Sequence, residues 1–296
     1  MRVVVLGAGG QLASDLERVM QGWDLILLRH ADLDICDHAR ARQALTRAAP
    51  EVVINTAAFH RVDDCEDQPE KAFRVNAIAV RNLAQVCRDL SCVLAHISTD
   101  YVFDGHKREP YNEDDLPIPL SVYGASKLAG ESFVRSIAPG NLVIRTSGLY
   151  GEAGSSGKGG NFVETMISLA KSGEPIRVVD DQVFSPTYTK DLAVKMRELL
   201  ESEAHGLFHI TNQGQCTWFA FASRVFELVG LKPDLSPTSS EAFGAKAARP
   251  AYSVLANERL RTQRSSLPRD WQYALTDYLS WRMKIADPAN RRGLSS

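Results

Sequence analysis

No run of apolar residues in this 296-residue chain approaches the ~20 needed to cross a bilayer, so no membrane-spanning helix is expected. Charge of one sign is not in excess either. Lys and Arg total 34 against 36 Asp and Glu, and a net charge of −2 leaves no electrostatic footprint for nucleic acid. Cysteine is sparse: Cys36, Cys65, Cys87, Cys92 and Cys216 are odd in number, scattered and without a C-x-x-C pair. That pattern suits reduced thiols rather than a disulfide framework or a zinc site. Internal repeats and low-complexity segments are lacking, and 44% hydrophobic with 24% charged residues is globular usage. A disordered or fibrous chain is thereby excluded. The first residues, MRVVVLGAGG, read as a buried strand and a turn rather than a signal peptide. The expectation is a cytoplasmic α/β protein of one large domain or two intimate ones, with no nucleic-acid or membrane partner.

What is present is an alternation. Apolar runs at Arg2–Leu6, Leu25–Leu28, Val52–Ile54, Cys92–Ile97 and Leu142–Arg145 are separated by helical patterns at Leu12–Met20, Ala39–Ala48, Pro69–Leu90 and Tyr123–Ser136. Strands alternating with helices of this length predict parallel pairing through right-handed crossovers. The runs lack polar alternation, which suits strands covered on both faces. A doubly wound parallel sheet over residues 1–150, joined by about 183–203, is predicted. After Tyr150 the texture changes. Gly151–Gly160 reads as a loop, followed by a strand at Ile176–Val179, a helix at Lys190–Leu200, a strand at Leu207–Ile210 and a helix at Trp218–Val229. Residues 151–182 and 204–296 are read as a smaller, partly discontinuous region over the C-terminal edge of the sheet, where such folds bind ligands. The tail from about Ala286 is read as frayed.

Gly7 and Gly10 lie between the first strand and the first helix, and Ala13 follows three residues later. A glycine at the turn and another where the backbone meets a pyrophosphate would place that anion against the unpaired N–H groups of a helix N-terminus. Gly157-Lys158 imitates the end of a phosphate loop but fails it, because Gly159 replaces the required Ser or Thr. Where a carboxylate usually meets the adenosine ribose, the second strand ends in Arg29 and His30. A guanidinium suits a 2′-phosphate, which favours NADPH with NADH left open; a solvated surface arginine is the competing reading.

STDYVFDG (Ser98–Gly105) follows the fourth strand, and YGASK (Tyr123–Lys127) opens a helix. Tyr123 and Lys127, four apart, share a helical face. A neighbouring ammonium would favour the phenolate and lower the phenol pKa from near 10, and Thr99 could hydrogen-bond the same carbonyl oxygen. The competing reading of the pair is a surface cation–aromatic contact. Asn76, polar amid an apolar helix face, is expected to bond backbone elsewhere.

Gly7 with Gly10, INTAAF (Ile54–Phe59), STDYVFDG, YGASK, RTSGLYG (Arg145–Gly151), SPTYTKDLA (Ser185–Ala193) and ARPAYSVLAN (Ala248–Asn257) together resemble the extended short-chain dehydrogenase/reductase family. Within it the likeness is to the branch that reduces the C4 ketone of dTDP-4-dehydro-L-rhamnose, and it covers most of the chain. The resemblance implies a Rossmann-like fold and a catalytic triad at Thr99, Tyr123 and Lys127. It implies cofactor contacts at Gly7, Gly10, Gln11, Leu12, Arg29, Asp34, Ile35, Ala57, Ala58 and Phe59, shared with Tyr123 and Lys127. The substrate would be a nucleotide sugar, gripped by Thr99, Asp100, Tyr101 and Arg249, the last through charge pairing with the pyrophosphate.

Two positions depart from the family pattern. His60 stands where the family often has Thr, and Gly148 where it often has a Trp that resembles a substrate-contacting wall. Both bear on sugar or nucleotide preference rather than on reduction. Acidic residues of the kind that carry a metal-bridged dimer in some relatives have no clear match, so no metal is expected, and a homodimer is left open. Tyr101 in place of a second carboxylate after Asp100 disfavours dehydration. Epimerisation stays open, as does a non-catalytic NADP-binding regulatory subunit like the family member that regulates methionine adenosyltransferase.

Overall fold

β-branched and aliphatic runs become strands because both of their faces are covered. In the computed structural model, which describes residues 1–153, 160–263 and 266–286, five of them are β1 (Arg2–Leu6), β2 (Asp24–Leu28), β3 (Val52–Asn55), β4 (Val93–Thr99) and β5 (Leu142–Thr146). Short strands β6 (Leu149–Tyr150), β7 (Ile176–Val179), β8 (Val183–Phe184) and β9 (Thr187–Tyr188) lie outside the main sheet, which β10 (Gly206–His209) completes. The order β2-β1-β3-β4-β5-β10 is parallel throughout. Chain direction across the sheet reverses between β1 and β3, and a crevice opens there at the C-terminal strand ends. The expected doubly wound sheet is therefore present. The strand expected at 207–210 within the second region instead pairs with β5, because its apolar residues Leu207 and Phe208 each face one of the two cores.

Helices α1 (Gln11–Val19) and α2 (His38–Ala48) link the first three strands. α1 buries Leu12, Ala13 and Leu16 against one face of the sheet, together with Met20 just beyond its end. The helix expected over Pro69–Leu90 is there, preceded by α3 (Val62–Asp67), but in three parts: α4 (Pro69–Phe73), a π-helical stretch (Arg74–Ala79) and α5 (Val80–Asp89). The wider turn brings Asn76 inward. Its Oδ1 accepts from Phe59 N at 2.8 Å, and its Nδ2 donates to Phe59 O at 2.9 Å and to Ser126 Oγ at 3.0 Å. The side chain thus holds the backbone after β3, as the sequence led us to expect.

α6 (Val122–Ile137) carries YGASK. Ser121 caps it, accepting from Gly124 N at 3.2 Å. Glycine at 124 and 130 is a packing requirement: a Cβ would stand 2.2 Å from Tyr101 O and 2.3 Å from Asn76 O, respectively. The helix is thereby seated hard against the end of β4 and the π-helical stretch. Below the cleft, Arg145 and Glu131 form an ion pair at 2.7 Å with both side chains almost wholly buried. Ser98 also donates to Glu131.

Beyond the main sheet, α7 (Phe162–Ser172), α8 (Thr189–Glu201) and α9 (Trp218–Val229) follow, and β7 pairs with the strand at Leu235–Thr238. α8 returns to the sheet against α1, whereas α7 and α9 build a second core around Phe221 and Val225. The Gly157-Lys158 segment and the tail beyond Ala286 lie outside the described residues. Among the described residues no helix is long and apolar enough to cross a membrane.

Candidate active site

A cleft of about 800 Å³ opens at the β1/β3 switch point. It gathers every expected site residue except Arg29: Gly7, Gly10, Gln11 and Leu12 from the first turn, Asp34 and Ile35 after β2, Ala57, Ala58 and Phe59 after β3. Thr99, Asp100, Tyr101, Tyr123, Lys127 and Arg249 line the remainder, as do His60 and Gly148.

Gly7 has φ +84°, and a Cβ there would stand 2.8 Å from both Ala57 N and Thr56 Oγ1. Only glycine lets β1 turn this close to the loop after β3. Gly10 is the residue before α1 and has ordinary backbone geometry. The second left-handed position is Gly9, at φ +88°, which the sequence reading passed over. Arg29 stands just outside the cleft wall, with its Nε 4.0 Å from where a Cβ of Gly9 would be. A dinucleotide fits this cradle. The first-turn N–H groups of α1 are free of helical partners, and Gln11 Oε1 and Thr146 Oγ1 are buried without a protein partner.

At the other end, Thr99 Oγ1 accepts from Tyr101 N at 3.2 Å and donates to Asp100 Oδ1 at 3.0 Å. It also lies beside the Tyr123 hydroxyl. Asp100 is turned inward rather than toward a sugar. Its Oδ2 accepts from Ser147 Oγ at 2.8 Å and Ser253 Oγ at 2.6 Å, and burial pushes its pKa up to about 6 despite these bonds. Asp100 thus lines the cleft while its two oxygens accept from Thr99, Ser147 and Ser253. Tyr101 meets Tyr123 edge to face at 6.0 Å between ring centres.

Burial drives the Tyr123 pKa above its ordinary value, and the Thr99 hydrogen bond only partly opposes it. This is the reverse of the expected lowering by Lys127. That lysine is 2% exposed, and its Nζ donates to Ile97 O at 2.6 Å and lies 3.4 Å from His96 Nε2. Burial lowers its own pKa to about 8. The ammonium is thus bonded to the strand beneath rather than to the phenol.

Arg249 is already paired. Its guanidinium meets Asp63 at 2.9 Å and 3.3 Å and donates to Ala247 O at 3.0 Å. Hydrogen bonding by Arg249 holds the Asp63 carboxyl below its usual range. Asp67 likewise pairs with Lys246, so α3 is tied to the 246–249 segment at the cleft mouth. Asp63 carried no signal in the sequence, since its partner lies 186 residues away. Gly148, at φ +53°, has no room for a side chain, because a Cβ would stand 2.3 Å from the Phe184 ring. Phe184 stacks on Trp218 at 3.8 Å between ring centres, and this pair lines the cleft beside Gly148. His60 contacts Ala58 O through Nδ1 at 3.3 Å, a bond within its own loop.

The switch-point cleft, the glycine turn and the Thr–Tyr–Lys set define a dinucleotide-binding protein of the extended short-chain dehydrogenase/reductase kind. More narrowly, the chain belongs to the family described as the RmlD substrate binding domain, which it matches over residues 1–283. It is 40% identical over 288 residues to the spore coat polysaccharide biosynthesis protein SpsK of Bacillus subtilis, covering 97% of this chain and 99% of that one. It is 39% identical to the dTDP-4-dehydrorhamnose reductase of Streptomyces griseus, covering 93% and 92%. A crystal structure of dTDP-4-dehydrorhamnose reductase from Bacillus anthracis in complex with NADP has a TM-score of 0.91 and 38% identity, covering 95% of this chain and 99% of that one.

Proposed function

We propose that the protein uses NADPH to reduce the C4 ketone of dTDP-4-dehydro-L-rhamnose, giving dTDP-L-rhamnose. The observation that carries this reading is the meeting of Thr99, Tyr123 and Lys127 on the floor of the same cleft as the Gly7–Leu12 turn. Named reductases covering more than nine-tenths of the chain support the substrate class. The cofactor is held by the first turn of α1, by Asp34-Ile35, by Ala57–Phe59 and by Lys127, with Arg29 on a 2′-phosphate. When bound, NADPH supplies the hydride that adds to the carbonyl carbon.

Tyr123 donates the proton. Burial keeps its hydroxyl protonated through neutral pH, and an alkoxide is more basic than a phenolate, so transfer runs downhill. Thr99, fixed by Asp100 and by Tyr101 N, holds the phenol in place. Arg249 meets the substrate diphosphate after exchanging part of its bond to Asp63. The substrate side comprises 151–182 and the chain beyond β10.

NADPH oxidation against a panel of 4-keto sugar nucleotides tests this reading, with dTDP-4-dehydro-L-rhamnose expected to be turned over fastest. Tyr123→Phe should lose about 10²–10⁴-fold in turnover while binding NADPH as before. Silence across the panel would leave a nucleotide-binding subunit in place of an enzyme.

A further inference from the structure

Beneath Lys127 lies a buried histidine with no part in the reaction described above. His96 is fully buried on β4, and the sheet register sets it opposite Asn55 of β3. Its Nδ1 is 3.2 Å from Asn55 Nδ2, and its Nε2 is 3.4 Å from Lys127 Nζ. Hydrogen-bond accounting settles which nitrogen carries the proton. Ala57 N donates to Asn55 Oδ1 at 3.2 Å, so the other end of that amide is the NH₂ group. Asn55 Nδ2 therefore donates to His96 Nδ1, which must be the unprotonated nitrogen. Burial, and secondarily Lys127, hold the ring neutral at physiological pH. A neutral ring with a bare Nδ1 has its one N–H at Nε2, aimed at Lys127.

We propose that His96, oriented by Asn55, is a positioning residue that donates its Nε2–H to Lys127 and stabilises the amine form of that lysine during proton resupply. Once Lys127 is the amine, the chain of bonds runs in one sense, from Ala57 N through Asn55 and His96 to Lys127 Nζ, which donates to Ile97 O. In the reaction, the phenol O–H bond of Tyr123 breaks as the new alcohol O–H bond forms. An ammonium N–H of Lys127 then breaks, and its proton passes through intervening water to re-form the phenol O–H. The amine left behind accepts the His96 hydrogen bond until water returns the proton. One proton is consumed per ketone, and it enters at Lys127.

The other titratable groups around the lysine leave this role to His96. Glu131, one turn along α6, favours the ammonium but is engaged by Arg145 of β5 and by Ser98 of β4. Tyr123 on α6 faces Thr99, Asp100, Tyr101 and Cys65.

The inference rests on the ketone-reduction reading, but its first test needs no substrate. Histidine ¹⁵N shifts of the full chain should show His96 as the Nε2–H tautomer, with its signal identified by its loss in His96→Gln. An Nδ1–H tautomer or a charged ring would overturn the proposal even if turnover were normal. Asn55→Asp keeps the shape and the acceptor for Ala57 N but presents a carboxylate to Nδ1. It should switch His96 to the Nδ1–H tautomer, turn a lone pair toward Lys127 and move the basic limb of the kcat profile up by about one pH unit. A switched tautomer with an unmoved limb would also overturn the proposal. Failure of the keto-sugar panel alone would refute the reductase assignment and leave the tautomer result standing.

Discussion

Asp100→Asn separates the cost of a buried charge from its use. The carboxylate is 4% exposed and accepts hydroxyl bonds from Thr99, Ser147 and Ser253, yet burial still lifts its pKa from 3.8 to about 6. A folded-state pKa above the unfolded one means that the unfolded chain ionises first as pH rises. The group therefore costs nothing below pH 3.8 and destabilises increasingly up to about pH 6. At ~1.36 kcal/mol per pH unit the full cost is roughly 3 kcal/mol, of which about 2 to 3 kcal/mol develops between about pH 4 and pH 7.5. The amide carries no charge, and the three hydroxyls can rotate to give or accept as needed. Denaturant unfolding of both proteins at the two pH values should show the variant gaining about 2 to 3 kcal/mol on the wild type at the higher pH. Its kcat/KM should fall about tenfold, because a weaker acceptor holds the Thr99 hydroxyl. A stability difference that stays constant from pH 4 to 7.5 would refute the buried-charge argument.

Glu131→Gln leaves Arg145 charged and unpaired in a nearly solvent-free site. It should cost about 3–5 kcal/mol in denaturant unfolding, whereas a loss below about 1 kcal/mol would mean the pair is solvated. Arg29→Ala should weaken NADPH binding about 10–100-fold in a titration and leave NADH nearly unchanged. Equal losses for the two would assign Arg29 to the turn rather than to a phosphate.

The parts of this molecule that were legible in the chain are those governed by local rules. Uninterrupted apolar runs gave five of the six main-sheet strands, and spacing gave the helix that carries Tyr123 and Lys127. The sixth strand was seen at nearly the right residues but placed in the wrong layer, since its partner β5 lies more than 60 residues earlier and pairing leaves no local mark. The glycine at 7 could be read, but the one at 9 could not be ranked above it, because only the folded turn shows which residues take positive φ.

Charge is where local reading failed most, and for a single physical reason. Lys127 was expected to act on its helical neighbour Tyr123, a rule that holds for solvated side chains on one face of a helix. Seated by Gly124 and Gly130 against β4, the helix instead delivers its ammonium to a carbonyl of the strand, beside the His96 ring. Asp100 and Arg249 likewise hold partners that the sequence did not show, Ser147 and Ser253 in one case and Asp63 in the other. In a buried site each charge must find a partner before any ligand arrives. The groups free to meet a ligand are therefore those whose existing partners can be exchanged, as the half-exposed Asp63 can beside Arg249, and not those enclosed as Asp100 is. A histidine in the apolar run Cys92–Ile97, three residues before Thr99, was the visible trace of that rule. Its polar partners could be named only once the register set Asn55 beside it.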